Sequence, residues 1–238
     1  MPLYMIPVYE DNHVIIVQKE SGEIVQGDKT GDKPLSESVK EYIKEAYAKP
    51  GNVFCGVVHR IDRPVSGLVV FARTSKALSR LNDMFREGKV RKTYLAVVQG
   101  KRKNKEDLLT HFICSSQQNN KSYISETEKP GYKKSQLKYR VLGEGENYSL
   151  LEVELLTGRK HQIRAQLAYT GTPIKGDLKY GAKRSNPDGS ISLVAYHVEF
   201  IHPVSGKLIS VYSSLPDDKL WHLVEIPGEV KSISAGEA

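Results

Sequence analysis

The chain alternates between short unbroken apolar runs and polar stretches punctuated by glycine, a pattern of strands more than of long helices. The first run, Val14-Ile15-Ile16-Val17 within residues 13–19, predicts a buried strand. Residues 20–34 hold Gly22, Gly27, Gly31 and Pro34 among charges and predict a loop. Leu35, Val39, Tyr42, Ile43, Ala46 and Tyr47 then recur at helical spacing, with Ser36 or Ser38 as the expected cap and Pro50-Gly51 as the stop. Residues 53–58 lead into the charged segment 59–67, and Leu68–Ala72 reads as another buried strand. Thr74 or Ser75 caps a second helix with Ala77, Leu78, Leu81, Met84 and Phe85 on one face, closed by Gly88 in a left-handed position.

Further on, residues 92–98 predict a strand that stops at Gly100, followed by a charged loop over 101–107. Residues 115–134 are rich in Ser, Asn and Lys and predict a surface excursion with weak structure. Period-two alternation over 136–141 and 149–155 predicts a half-exposed antiparallel pair. Thr157-Gly158-Arg159-Lys160 is expected to open a helix carrying Ile163, Leu167 and Ala168 inward and ending at Gly171. Two last strands, 193–201 and 208–212, flank a turn at 202–207. Strands outnumber helices and many are neighbours, so the expected fold is α+β, a mixed, largely antiparallel central sheet in two lobes with flanking helices. No repeat or Gly-rich linker splits the chain; residues 1–227 read as one catalytic unit and 228–238 as a disordered tail.

Composition narrows this picture a little. The length of 238 residues suits one large domain or two small ones, and 39% apolar residues suffice for a core. The formal net charge of +7 favours a polyanionic partner such as nucleic acid, although a merely basic soluble protein has the same balance. Cys55 and Cys114 have no second cysteine at ligand spacing, which argues against a zinc site, and two cysteines do not make a disulfide scaffold. Residues 1–8 lack the basic and long apolar parts of a signal peptide, and no apolar run approaches the roughly 20 residues of a membrane helix. A reduced cytoplasm is the expected compartment.

Three segments can carry chemistry. In His59-Arg60-Ile61-Asp62-Arg63, a carboxylate stands between two arginines. A guanidinium nearby keeps a carboxylate ionised, and an ionised, positioned carboxylate can be a nucleophile; an ordinary surface ion pair has the same pattern. In Arg91-Lys92-Thr93-Tyr94, an aromatic ring beside cations suits a base and its phosphate, or else Tyr94 is core with its hydroxyl outward. In residues 157–164, Arg159, Lys160, His161 and Arg164 cluster at an expected helix start, with Arg164 about one turn beyond Lys160 on the same face; this is a phosphate site or a solvated face. Phosphate-loop, dinucleotide, nucleophile-elbow and His-x-x-x-His patterns are absent.

Taken in order, the three segments resemble the RluA/RluD-type family of RNA pseudouridine synthases, over roughly residues 9–212. The family motif His-Arg-Leu-Asp-Arg-x-Thr-Ser-Gly stands here as residues 59–67, with Ile61 and Val65 as the departures. Lys-x-Tyr-x-Ala is matched by Lys92, Tyr94 and Ala96, and Thr-Gly-Arg-x-His-Gln-Ile-Arg by residues 157–164; Gly176-Asp177 and Tyr180-Gly181 continue the likeness.

The resemblance implies isomerisation of uridine to pseudouridine in ribosomal or transfer RNA, without cofactor or metal, by a monomer. It makes Asp62 the nucleophile. Arg60, Tyr94, Ile163 and Arg164 become substrate-binding residues, with Arg164 pairing with Asp62 and Tyr94 stacking on the base. Arg63, Lys92, Arg159, Lys160 and His161 become RNA-binding. Where the family carries Lys-Pro-x-Gly, this chain has Lys19-Glu20-Ser21-Gly22, and the small RNA-binding domain found ahead of many members is not expected before His13. Two rivals stand beside this reading. One is a non-catalytic RNA-binding module, which need not retain Asp62, Tyr94 and Arg164 together. The other is a glycosidase-like hydrolase, which would want a second carboxylate that the three motifs lack.

Overall fold

The apolar runs become the middle of one large sheet. In a computed structural model describing residues 6–222, the short strand β1 (Tyr9–Glu10) lies against β2 (Val14–Lys19). Val14, Ile15, Ile16 and Val17 of β2 are fully buried, because both faces of the sheet are covered here. The expected tail from Gly228 lies outside the described residues.

After β2 come α1 (Leu35–Ala46), the two-residue strand β3 (Gly56–Val57), β4 (Ser66–Ala72), α2 (Ser75–Arg86) and β5 (Arg91–Gln99). Then follow β6 (Glu106–Ser116), β7 (Lys121–Ser125), β8 (Lys133–Glu144), β9 (Tyr148–Leu155), α3 (Gln162–Tyr169), β10 (Leu193–Ile201) and β11 (Leu208–Tyr212). Along the sheet the order is β1-β2-β4-β10-β5-β9-β8-β6-β7, with β11 on β10 and β3 on β4. The fold is α+β with a mixed sheet, and the two expected lobes are its two halves, joined where β10 sits between β4 and β5.

The pairing of β10 with β4 is parallel; the other strand pairs are antiparallel. At this junction Gly67 has φ +114, and a Cβ there would stand 2.4 Å from the Ala195 carbonyl oxygen. Only glycine fits such a close approach in this conformation.

Helices α1 and α3 cover one face. Val39 and Ile43 of α1 and Ile163 and Leu167 of α3 share one apolar cluster with Ile15, Phe71, Tyr94 and Val153. Helix α2 covers the other face through Ala77 and Leu81.

Several local expectations need correction. Neither Ser36 nor Ser38 caps α1: Pro34 occupies the cap position, and the amides of Leu35 and Ser36 donate instead to the carbonyls of Ile24 and Val25 at 2.8 and 3.2 Å. The preceding loop thus satisfies the helix start without a side chain. Thr74 does cap α2, accepting from Ala77 N–H at 3.2 Å. The charged loop after Gly100 ends earlier than expected, since β6 starts at Glu106. The 115–134 stretch is no weak excursion. It contains β7, paired with β6 from Phe112↔Ser125 to Ser116↔Lys121. Main-chain pairing and buried Ser122 and Ser125 hold a segment whose polar composition gave no apolar signal.

Candidate active site

Asp62 stands in a turn, with Val65 N–H donating to its carbonyl at 3.0 Å, and the turn is anchored by Ile61 and Val65 buried on either side. Its backbone is fastened from three directions. Gly22 N–H donates to the Arg63 carbonyl at 2.9 Å, and Ile191 N–H to the Pro64 carbonyl at 3.1 Å. Lys19 Nζ donates to the carbonyls of Glu20 and Arg63 at 2.7 and 3.1 Å. Lys19 is completely buried, and burial pushes its ammonium down to about 8 against the pull of Glu23 and Asp62. The loop is therefore tied by main-chain bonds and one buried cation, as a site on a rigid support requires.

The carboxylate is held across 102 residues of sequence. Arg164 Nη1 donates to Asp62 Oδ2 at 3.0 Å. The same guanidinium meets Asp177 face on, Nε to Oδ2 at 2.7 Å and Nη2 to Oδ1 at 2.9 Å, and lies over the Tyr180 ring with 5.1 Å between Cζ and the ring centre. Burial works against the charge on Arg164, but its bonds with Asp177 and then Asp62 outweigh it and raise its pKa further. A bidentate partner fixes the plane of the guanidinium, and this turns Nη1 toward Asp62. Asp62 itself keeps 27% of its side-chain surface, and Oδ1 has no donor among the described residues.

His161 lies under the same oxygen, with Nε2 3.7 Å from Asp62 Oδ2. Its backbone is left-handed, φ 51, and this interrupts the helix expected from Thr157: α3 begins only at Gln162. The preceding loop is pinned by the Gln162 side chain, whose Oε1 accepts from the Thr157 hydroxyl at 2.8 Å and from Arg159 N–H at 3.0 Å. Lys160 therefore precedes the helix and is exposed, whereas Arg164 is buried within it; the two do not share a face. His161 is buried as well and touches Asp62 and Tyr180, so it does not stand on the exposed surface with Arg159 and Lys160, where its expected RNA-binding role would put it. Burial first, then Arg164, Lys160 and Lys179, bring the imidazole down to about 4 against the attraction of Asp62.

Tyr94 and Ile163 belong to the apolar cluster beneath Asp62. Tyr94 is only 8% exposed and its hydroxyl has no hydrogen-bond partner among the described residues, which makes it less an open stacking platform than a wall whose polar end is free. Burial, and then the Asp62 charge, push that hydroxyl well above the usual tyrosine range.

Arg60 is exposed and makes no ion pair or hydrogen bond among the described residues. Arg63 turns away to Thr30 and Asp32, so neither sequence neighbour of Asp62 is its partner. Lys92 is half buried, with its ammonium over the Phe85 ring. Arg159 is exposed and donates from Nε to the Lys134 carbonyl at 3.2 Å.

Lys19, Asp177 and Tyr180 are the residues that motif reading did not assign. Asp177 had a signal of its own: an acidic residue after Gly176 in a segment that continues the likeness. No group of three or more His, Cys, Asp or Glu suited to a metal occurs among the described residues, and none of their helices is long and apolar enough to cross a membrane.

A carboxylate locked by one oxygen to a clamped arginine and open at the other is suited to covalent or electrostatic work at an electrophilic carbon. Residues 13–169 match the RNA pseudouridylate synthase family, and the chain belongs to it. It is 32% identical over 218 residues to ribosomal large subunit pseudouridine synthase C of Buchnera aphidicola subsp. Acyrthosiphon pisum, covering 89% of this chain and 67% of the relative. It is 29% identical over 221 residues to ribosomal large subunit pseudouridine synthase D of Zymomonas mobilis, covering 89% and 69%. Against several other curated relatives the chain spans slightly less than two thirds of their length, as with the synthase C of Vibrio parahaemolyticus at 64%. The fold is shared with human RNA pseudouridylate synthase domain containing 4, with a TM-score of 0.75, 18% identity, and 89% of this chain and 88% of that one covered.

Proposed function

We propose that this protein isomerises specific uridines of structured RNA to pseudouridine, with Asp62 as the nucleophile and the target nucleotide flipped out of its stack. The observation that carries this reading is the asymmetry of the Asp62 carboxylate, Oδ2 bound to Arg164 and Oδ1 without a donor among the described residues. In the reaction the bond from the sugar's anomeric carbon to N1 of uracil breaks, the base turns, and a bond to C5 forms while the C5 proton is lost and N1 gains one. Atoms and electrons balance without an oxidant. Oδ1 is the oxygen placed to meet the sugar. Arg164 holds the carboxylate in place as the site loses water. Tyr94 meets the base with its hydroxyl end, and Ile163 forms the apolar wall beside it.

Flipping costs a few kcal/mol in a duplex and less in a loop. Arg60, free and exposed beside the nucleophile, is placed to hold the distorted strand, and Arg63, Lys92, Arg159 and Lys160 supply cations for phosphates. The relatives reported above act, by name, on the ribosomal large subunit, which favours ribosomal over transfer RNA as substrate. The protein works as a cytoplasmic monomer.

Asp62→Asn should lower pseudouridine formation by at least about 10³-fold while RNA binding and folding persist. The check is pseudouridine mapping in ribosomal and transfer RNA from cells with the wild-type chain, the variant, or neither. A wild-type chain that leaves no pseudouridine, or an Asp62→Asn variant that turns over normally, would sink the assignment.

A further inference from the structure

Asp62 touches a second hydrogen-bonded chain besides the arginine clamp. Ser122 N–H, on β7, donates to the Tyr180 hydroxyl oxygen at 2.7 Å, and that oxygen lies 2.9 Å from His161 Nδ1. A backbone amide can only donate, so Tyr180 accepts in the first contact and has its own proton free for the second. Where that proton is given to His161, Nδ1 is the acceptor. A neutral imidazole that accepts at Nδ1 carries its proton on Nε2, the nitrogen 3.7 Å from Asp62 Oδ2.

The rest of the surroundings fit this arrangement. The Tyr180 ring stands edge-on to the imidazole, with ring centres 5.7 Å apart, and the Arg164 guanidinium lies over it. Ser122 Oγ donates to the Lys160 carbonyl at 2.7 Å, and Lys179 Nζ to the Asn120 carbonyl at 3.1 Å, so the β6–β7 hairpin is fastened to the residue before His161 and to the residue before Tyr180. The charged groups around His161 are Asp62, Arg164, Lys160 and Lys179; the three cations oppose its protonation. His161 also pays for its place with a left-handed backbone, a conformation that persists only where surrounding contacts over-determine it.

We propose that Tyr180 and His161 form a positioning relay for Asp62, in which the Tyr180 hydroxyl fixes the imidazole as its Nε2–H tautomer and that N–H steadies Asp62 Oδ2, leaving Oδ1 as the reacting oxygen. The inference rests on the reading of Asp62 as nucleophile. No proton crosses the relay. The gap at Nε2 exceeds a hydrogen bond by less than about 1 Å, and catalytic contacts of this kind tighten when substrate closes the site. Two donors on one carboxylate oxygen, one from α3 and one from the residue before it, would select a single rotamer of Asp62.

The decisive variant is Tyr180→Phe, which removes one oxygen and keeps the ring. In ¹⁵N spectra of imidazole-labelled protein, wild-type His161 should show a single Nε2–H tautomer, and Tyr180→Phe a mixture. In single-turnover assays with an RNA substrate, Tyr180→Phe should lower the rate about 10- to 100-fold with KM changed by less than about two-fold. His161→Gln, which keeps an N–H within reach of Oδ2, should retain more activity than His161→Leu. An unchanged rate in Tyr180→Phe, or a wild-type His161 protonated on Nδ1, overturns the relay. A wild-type protein without synthase activity overturns instead the functional reading, because the tautomer measurement needs no turnover.

Discussion

The two ends of β2 each hold an aspartate, a histidine, a tyrosine and an arginine, yet the two clusters are built to opposite purposes. Asp11, just before β2, is 32% exposed at its side chain; Asp62, beside the far end, is 27% exposed. Burial therefore does not tell them apart. Saturation does. Asp11 Oδ1 accepts from the amides of His13 and Val14 at 2.7 and 2.8 Å, and Oδ2 accepts from the Tyr9 hydroxyl at 2.8 Å and lies 2.9 Å from His202 Nε2. Burial works against this charge, but the two amides, Tyr9 and His202 together hold the Asp11 carboxyl below its usual range. At Asp62 the described donors gather on Oδ2 alone. A carboxylate with both oxygens occupied is a fastener for a strand start, while one with an oxygen left over is available for chemistry.

Exchanging charges for amides tests that contrast. The largest effect is the loss of turnover in Asp62→Asn given above, and its counterpart, Asp11→Asn, should leave the rate unchanged; a swap of the two outcomes would erase the distinction. Next comes Asp177→Asn. It strips the buried Arg164 of its bidentate partner and leaves only the single bond to Asp62, and denaturant unfolding should show a loss of about 3–5 kcal/mol together with slower turnover. Asp11→Asn should follow at about 2 kcal/mol, the range for losing bonds to a charged acceptor.

The smallest effect per group is in acid. Burial brings the His59 imidazole down to about 3 and that of His161 to about 4. Both lie below the ordinary value near 6.5, so the unfolded chain binds protons that the folded chain refuses. Their neutral burial costs nothing above that value, and stability falls as pH drops through it toward 4, by about 1–2 kcal/mol per histidine at pH 5. Equal unfolding free energies at pH 7.5 and pH 5 would show that these imidazoles are not held neutral.

Legibility in the sequence followed the same divide. The strands β2 and β4 announced themselves because both their faces are buried and their apolar runs are unbroken. Asp62, Tyr94 and Arg164 were legible as a set only because the motifs carrying them stand in a familiar order; no local rule brings together residues so far apart in the chain. Asp177 stands in the likeness without a role that sequence assigns, since the partner of a lone carboxylate is a tertiary fact. The hairpin of β6 and β7 stayed unread because its turn and edge are polar and main-chain bonds hold it. His161 misled in a different way: its left-handed backbone has no signature beyond the residue itself, and it moved the start of α3 past the basic cluster.

The bond from Ser122 to Tyr180 and the clamp of Asp177 on Arg164 have a consequence for how the protein acquires its site. The contacts that hold the Asp62 carboxylate and its support join distant stretches: Lys19, the 59–67 turn, β7, α3 and the 177–180 segment must all be in place. A chain emerging from the ribosome can complete β2 and β4 early, but the carboxylate acquires its geometry only after residue 180 has docked. Such non-local topologies fold on the order of milliseconds to seconds. Competence would then arrive in one late step, and a chain cut short before Asp177 would present the nucleophile without the means to hold it.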